Sequence, residues 1–351
     1  MKNEIKCEIK HKGGIYLTIN KNMIRERALK LPSVTDEMYN LCNKENRDMM
    51  EEFLQMNPQL SPATKRQYIS GLKQFIYWIY SSCNDKPLYK IKKRDFNRYM
   101  SYLTNRGMSG SGLRFKKSSV STLCAYIEDV IAEDDDFEEY KNFRNFTKAF
   151  KDIPKNHVYE KIPISKEEYE TLKETLMDDE NYMGLAWVVC AFNTGARRGG
   201  IRQFETSFVY QEIPEGRTFV NTNYVREKGK SDDGKRVRYM ANEEVLKYCR
   251  LWLEKRGFES KYIFAKKFKD EVIQIGLEWA DFFCSDTLSD ILGRRINPHL
   301  FKASAITYLL EQGKDIKVVS KYVGQHNDIS TTSNHYDLRD DSEEANKLFE
   351  K

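Results

Sequence analysis

Six side chains in the second half of this 351-residue chain interrupt its apolar patterning and together could act on a phosphodiester. Arg197 closes Thr194-Gly195-Ala196-Arg197, just after an apolar run, and Lys228 lies in Glu227-Lys228-Gly229-Lys230. His299 and Lys302 open a helix with His-x-x-Lys spacing, and His326 and Tyr336 flank Asp328-Ile329-Ser330-Thr331-Thr332. Three cations, two imidazoles and a phenol are what a metal-free attack on a phosphodiester requires. The cations offset charge building on the phosphorane oxygens, and the phenol becomes the nucleophile. The imidazoles and an acidic lysine serve the proton transfers. Spacing alone does not show convergence. Taken singly, each residue has an ordinary reading: a polar helix cap, a solvated turn lysine, a surface or core tyrosine, with His335 beside Tyr336 incidental.

The elements around these residues set their positions. Ser165-Lys166-Glu167-Glu168 is a capping box that opens the domain carrying them. Leu185 to Phe192 reads as a helix buried all round, ending at Asn193-Thr194-Gly195. Arg217 to Val225 and Lys235 to Met240 read as strands of a hairpin joined by Arg226 to Gly234, with helices at Glu244 to Lys255, His299 to Gln312 and Ile316 to Val323. Upstream, Ser61-Pro62 starts a helix with Tyr68, Leu72, Phe75, Ile76 and Ile79 on one face. A second helix is expected from Asp95 and a third from near Ser118. A short hairpin around Gly13 and Gly14 is expected near the start of the chain. The fold class expected is mostly α with a small antiparallel β-sheet.

Charge points the same way. Between Ser61 and Val120 thirteen Lys and Arg face two acids, whereas Tyr126 to Tyr140 carries eight acids and no Lys or Arg. A basic block in a foldable segment followed by an acidic stretch suits a polyanion-binding surface and then a boundary, although a Lys-rich solvated surface gives the same count. The residues expected to meet a phosphate backbone are Lys65, Arg66, Lys92, Lys93, Arg94, Arg98, Arg114, Lys116 and Lys117. The seven cysteines sit singly with no C-x-x-C, which argues against a disulfide framework or zinc ribbon and suggests a reducing cytosol. No apolar run spans a bilayer, and the first twenty residues lack the apolar centre of a signal peptide. At 40% hydrophobic and 13% aromatic residues, disorder is excluded. No clustered Asp/Glu pattern suggests a metal nuclease.

The stretch from His299-Leu300-Phe301-Lys302 through Glu311-Gln312-Gly313-Lys314-Asp315-Ile316, then Asp328-Ile329-Ser330-Thr331-Thr332 and Tyr336, resembles the C-terminal signature of the tyrosine recombinases, the phage-integrase family. Thr194-Gly195-Ala196-Arg197 resembles the family's first-arginine box, Lys228-Gly229 its hairpin lysine, and Ser61 to Ile131 its helical core-site-binding domain. The resemblance spans about Asn46 to Asp337. It implies that Tyr336 attacks the scissile phosphate to form a 3′-phosphotyrosyl link, releasing a 5′-hydroxyl. Arg197 would grip the non-bridging oxygens and Lys228 protonate the departing oxygen. His299 would bond the phosphate or handle the nucleophile's proton, with His326 as a further donor. Lys302 stands where the family has its second arginine, Gly200 where it has an acid three residues past the first arginine, and Gln325 intrudes between Gly324 and His326. Lys230 and Lys235 compete with Lys228 for the hairpin role.

The resemblance implies an N-terminal extension over 1–45, a helical core-DNA-binding domain over 46–134, a linker over 135–163, an α+β catalytic domain over 164–340 and a trans-docking tail over 341–351. It implies double-stranded DNA recombination sites as partner, a homotetramer on two sites, accessory DNA-bending or directionality factors, no cofactor or metal, and a cytoplasmic, nucleoid-associated setting in a prokaryotic host or encoded by a phage. Two other readings stay open: a catalytically attenuated DNA-binding protein of the same fold, and a type IB topoisomerase.

Overall fold

Where the chain can bury an apolar stripe, it forms helices, and these assemble into two units, residues 23–160 and residues 1–22 with 161–351. The structure, a computed structural model, describes residues 8–11, 14–17, 33–150, 153, 161–227 and 235–339. Near the start, β1 (Glu8–His11) and β2 (Gly14–Leu17) pair antiparallel.

The first large unit is all helical: α1 (Asp36–Asn40), α2 (Lys44–Gln55), α3 (Pro62–Ser82), α4 (Lys93–Asn105) and α5 (Gly110–Asp129). α3 begins as its sequence dictates, with the Ser61 hydroxyl accepting from the Thr64 N–H at 3.1 Å and Pro62 in the first turn. Leu72, Phe75, Ile76 and Ile79 are buried. α4 starts two residues before the expected Asp95, because that acid is the third helical residue and accepts from the Lys92 N–H at 3.1 Å. α5 starts eight residues before Ser118. Gly110 and Gly112 lower its local propensity, yet Leu113, Val120, Leu123 and Ile127 form one buried stripe, and packing outweighs propensity. Gly71 lets α3 approach α5, since a Cβ there would sit 3.1 Å from Ser119 Oγ. The stretch expected to begin a linker at 135 instead packs onto this unit. Tyr140, Phe143 and Phe146 are buried in its core, and the Tyr140 hydroxyl donates to Glu45 Oε1 at 2.7 Å. Their spacing of three makes an aromatic stripe within an acidic surround.

The second large unit opens at the Ser165/Glu168 capping box of α6 (Lys166–Asp178). The buried Arg294 fastens this start, donating to both Glu168 oxygens and to the Ile162 and Pro163 carbonyls. α7 (Tyr182–Thr194) is buried all round and ends on Gly195, whose φ of +62° is left-handed. α8 (Arg198–Ile201) follows. The expected hairpin is two separate ladders. β3 (Phe219–Asn221) pairs with β6 (Met240–Asn242), and β4 (Val225–Glu227) pairs with β5 (Lys235–Val237). Thr222 makes the break, its N–H donating to the Tyr239 carbonyl and its hydroxyl accepting from the Tyr239 N–H. α9 (Glu243–Lys255) packs on α7. A hairpin of β7 (Ala265–Phe268) and β8 (Glu271–Gln274), unforeseen in the sequence, leads to α10 (Leu277–Phe283), a π-turn and α11 (Ser289–Leu292). α12 (Pro298–Glu311) brings Phe301 edge-on to Trp187 at 5.3 Å. α13 (Ile316–Val319) passes into a π-turn over Ser320–Gly324, and α14 (Ile329–His335) ends at Tyr336. The architecture is mostly helical with small antiparallel sheets.

Candidate active site

Arg197 stands two residues after the Gly195 cap, in extended backbone at the head of α8. The glycine is required there twice over: its φ is positive, and a Cβ would come within 2.5 Å of Val323 Cγ1. Arg197 is half-buried, and its Nη1 pairs with Glu227 Oε2 at 3.2 Å. Burial opposes the guanidinium's charge, but Glu227 and the neighbouring Tyr336 phenol hold its pKa above the usual arginine value. Glu227 is itself buried, and its Oε1 accepts from the Tyr239 hydroxyl at 2.9 Å.

Lys302 lies on α12 with no exposed surface, and its ammonium donates to the Val323 carbonyl at 3.2 Å. Burial first, then the Arg197 charge, pushes its pKa down to about 7. A lysine so placed is half-charged near neutrality, where an arginine would remain charged.

The π-turn presents His326. Gln325 takes a left-handed conformation, φ +55°, and its side-chain amide donates to the Tyr322 carbonyl at 3.0 Å. The inserted residue thus ends the helix, and the His326 N–H returns to the Ser320 carbonyl at 3.1 Å. Gly324 leaves room for the ring, since a Cβ there would meet Nδ1 at 2.9 Å. His326 Nδ1 bonds Thr332 Oγ1 at 2.8 Å, and that hydroxyl donates to Ser320 Oγ at 2.8 Å. Among the described residues, buried Nε2 has no hydrogen-bond partner. Burial, followed by the charges of Lys302, Arg197 and Lys235, pushes the imidazole's pKa down to about 4. With Thr332 donating onward, its oxygen accepts from Nδ1–H, and Nε2 keeps a lone pair.

Tyr336 caps α14, and its ring lies 4.6 Å from the His326 ring. Thr307 on α12 anchors it, donating to the Tyr336 carbonyl at 3.0 Å and accepting from the Leu338 N–H at 3.1 Å. Arg197, Lys302, His326 and Tyr336 therefore converge. His299 is exposed one turn before Lys302 on α12. Lys228 and Lys230 lie outside the described residues, as does the tail over 341–351. Lys235 is described, and its ammonium donates to the Gln325 carbonyl at 2.9 Å and to Asn327 Oδ1 at 3.2 Å, beside His326.

Sequence reasoning missed Glu227, Tyr239, Thr332 and Ser320 as parts of the site. A signal existed for Glu227. Extending the strand period from Val225 puts residue 227 on the same inward face, whereas reading Arg226 to Gly234 as a turn hid it.

In the helical unit, Lys92, Lys93, Arg94 and Arg98 are exposed around the first half of α4, and none is ion-paired among the described residues. Arg94 and Arg98 line a concavity with Asn97, Ser101, Tyr102 and Arg106. Arg66 is exposed and Lys65 half-buried. Three others are engaged differently. Lys117 donates to the Phe150 carbonyl at 2.6 Å, Arg114 reaches the Ile153 carbonyl at 3.5 Å, and burial pushes the Lys116 pKa down to about 8. Among the described residues no helix is long and apolar enough to cross a membrane.

Residues 163–343 match the model of the phage integrase family. The chain belongs to that family. The SPbeta prophage-derived recombinase-like protein YomM of Bacillus subtilis is 51% identical over 332 residues, covering 94% of this chain and 98% of the relative. The tyrosine recombinase XerC of Lacticaseibacillus casei is 21% identical, over 80% of this chain and 90% of its own. Solved integrase structures share the fold. The Tn1549 transposon integrase in complex with transposon right end DNA superposes with a TM-score of 0.62 at 16% identity, over 86% of this chain and 98% of its own. The XerH site-specific recombinase bound to palindromic difH substrate does so with 0.61 at 16% identity, over 92% of each chain. The two-part architecture, a helical domain and an α+β catalytic domain, is thus that of the tyrosine recombinases.

Proposed function

We propose that this chain is a site-specific recombinase that cuts and rejoins double-stranded DNA through a 3′-phosphotyrosyl intermediate, serving integration or excision of a phage or other mobile element. The observation that carries the reading is the Tyr336 phenol beside the Arg197 guanidinium with its ring against His326, and Lys302 among the charges next to that imidazole. The Tyr336 oxygen attacks the phosphorus, the bond to the 5′-oxygen breaks, and that oxygen leaves with a proton from Lys228. Arg197 and charged Lys302 take the non-bridging oxygens, offsetting charge that develops in the transition state. His299 and His326 are the imidazoles available for the phenol's proton, and His326 has its ring against Tyr336. Rejoining reverses these steps with a 5′-hydroxyl from a second strand. The 51% identity to a prophage-derived protein supports the mobile-element setting. Lys65, Arg66 and the α4 cations hold the duplex backbone, and four copies on two sites, with accessory bending or directionality factors, complete the exchange.

The test uses nicked suicide duplexes with a randomised core, capturing covalent adducts under denaturing conditions and sequencing the DNA held. Sequence-selective adducts with wild type, and none with Tyr336→Phe, are expected. Site-independent relaxation of supercoiled plasmid would indicate a topoisomerase, and duplex binding without adducts a DNA-binding protein that does not cut.

A further inference from the structure

Gly200, in the turn of α8 after Arg197, is buried, and the space beside it is occupied. A Cβ on residue 200 would stand 2.9 Å from Glu227 Oε1 and 3.4 Å from the Tyr239 ring. The carboxylate filling that space comes from the end of β4, and its two oxygens have separate tasks. Oε1 accepts from Tyr239, which fixes the group, and Oε2 faces Arg197 Nη1 at 3.2 Å. Arginine has five donors, so one bond to Glu227 sets the plane of the fork and leaves others for the Tyr336 side. A buried ion pair is by itself a weak source of stability, because desolving both charges offsets their attraction. Orientation is the better account of a carboxylate placed here.

We propose that Glu227 is the positioning residue for Arg197, reaching across from the hairpin into the place that a side chain on residue 200 would take. It aims the guanidinium at the phosphate without touching DNA. Because Glu227 directly precedes Lys228, the same carboxylate ties the strand leading to that lysine to the arginine. An Asp side chain on residue 200 extends two bonds beyond Cβ, into the space beside Tyr239 that the Glu227 carboxylate fills. The two positions are therefore interchangeable sources of one carboxylate.

This assignment rests on the recombinase reading, and the test separates the two. Single-turnover adduct formation on the captured suicide duplex compares wild type, Glu227→Gln, Glu227→Ala, Gly200→Asp, and Gly200→Asp combined with Glu227→Ala. Glu227→Gln keeps the side-chain shape, so a misfolded Ala variant does not remove the test. It should bind duplex as tightly as wild type and cleave roughly 100-fold more slowly, the scale expected for a displaced catalytic group. Gly200→Asp alone should also be slow, because its carboxylate collides with Glu227. The double variant should recover to within about tenfold of wild type, a difference near 1.4 kcal/mol in barrier. A wild-type rate in Glu227→Gln, or a double variant no faster than Glu227→Ala, would overturn the positioning role. If wild type forms no adduct, the recombinase reading fails instead, and NMR of the Arg197 guanidinium decides this one. A held fork gives separate Nη signals in wild type and in the double variant, merged in Glu227→Gln. Identical signals in all three would overturn it.

Discussion

The rings of His326 and Tyr336 lie 4.6 Å apart and 37° from parallel. Both are held from behind, His326 through Thr332 and Tyr336 through the Thr307 bond to its carbonyl. Neither anchor uses the phenol oxygen. Tyr336→Phe should therefore keep the ring contact, the fold and duplex affinity while removing the nucleophile. The expected outcome is complete loss of covalent adducts with a dissociation constant within about threefold of wild type, less than 1 kcal/mol. Adducts that survive in the Phe variant would move the nucleophile elsewhere, with the exposed Tyr322 the next to substitute.

The pH profile should carry the marks of two buried groups. With its pKa pushed down to about 4, the His326 imidazole in the free protein is neutral at ordinary pH and can accept a proton through Nε2. Lys302, pushed down to about 7, loses its charge as pH rises through neutrality. The second-order rate of adduct formation, which reports the free enzyme, should hold down to about pH 5 and fall above about pH 7. Lys302→Arg keeps its charge throughout, so the alkaline fall should disappear. At pH 6 the two proteins should react at similar rates, and at pH 8 the Arg variant should be roughly tenfold faster. An alkaline limb unchanged in the Arg variant would assign that limb to another group.

The same lysine links stability to pH. Its folded pKa lies below its unfolded one, so between about 7 and 10.5 the unfolded chain holds a proton that the folded chain has lost. Stability from this source is therefore fully present above the unfolded value and lost as pH falls through about 7. Lys302→Met removes the buried ammonium. It should be more stable than wild type at pH 6, by an amount that shrinks as pH rises towards 10. Urea unfolding at a series of pH values checks this, and a constant difference would exclude Lys302 as the source.

Local chemistry is what the sequence makes legible. The Ser61-Pro62 start, the Ser165/Glu168 box and the Gly195 end each depend on a few adjacent residues, and each stands where adjacency places it. The early start of α5 and the burial of Tyr140, Phe143 and Phe146 depend on partners far along the chain, so an unfavourable local propensity and an acidic surround concealed them. The site divides the same way. Arg197, Lys302, His326 and Tyr336 are recognisable by type and order. Glu227 at Gly200, and the relay from His326 through Thr332 to Ser320, exist only through space. The depth of Lys302 was equally hidden, since His-x-x-Lys spacing is silent on burial, and it changes an exchange of cations into a titrating group.

The helical unit divides its cations into two kinds, and their salt dependence should differ. Lys92, Lys93, Arg94 and Arg98 are exposed, with no ion pair among the described residues. Lys117 instead donates a hydrogen bond to the Phe150 carbonyl, and Lys116 is half-buried, with burial pushing its pKa down to about 8. A cation on the phosphate backbone releases condensed counterions, and each one lost lowers the slope of log affinity against log salt by about one. Replacing the four α4 cations with Gln should lower the slope by about three to four, with little change in which sequences are bound. Replacing Lys116 and Lys117 should change it by less than one, while Lys117→Gln lowers thermal stability through the lost bond to Phe150. Filter binding across a salt series measures the slopes directly. Equal slopes for wild type and the four-residue variant would place the duplex on another face of this unit, with Lys65 and Arg66 at the start of α3 the next pair to neutralise.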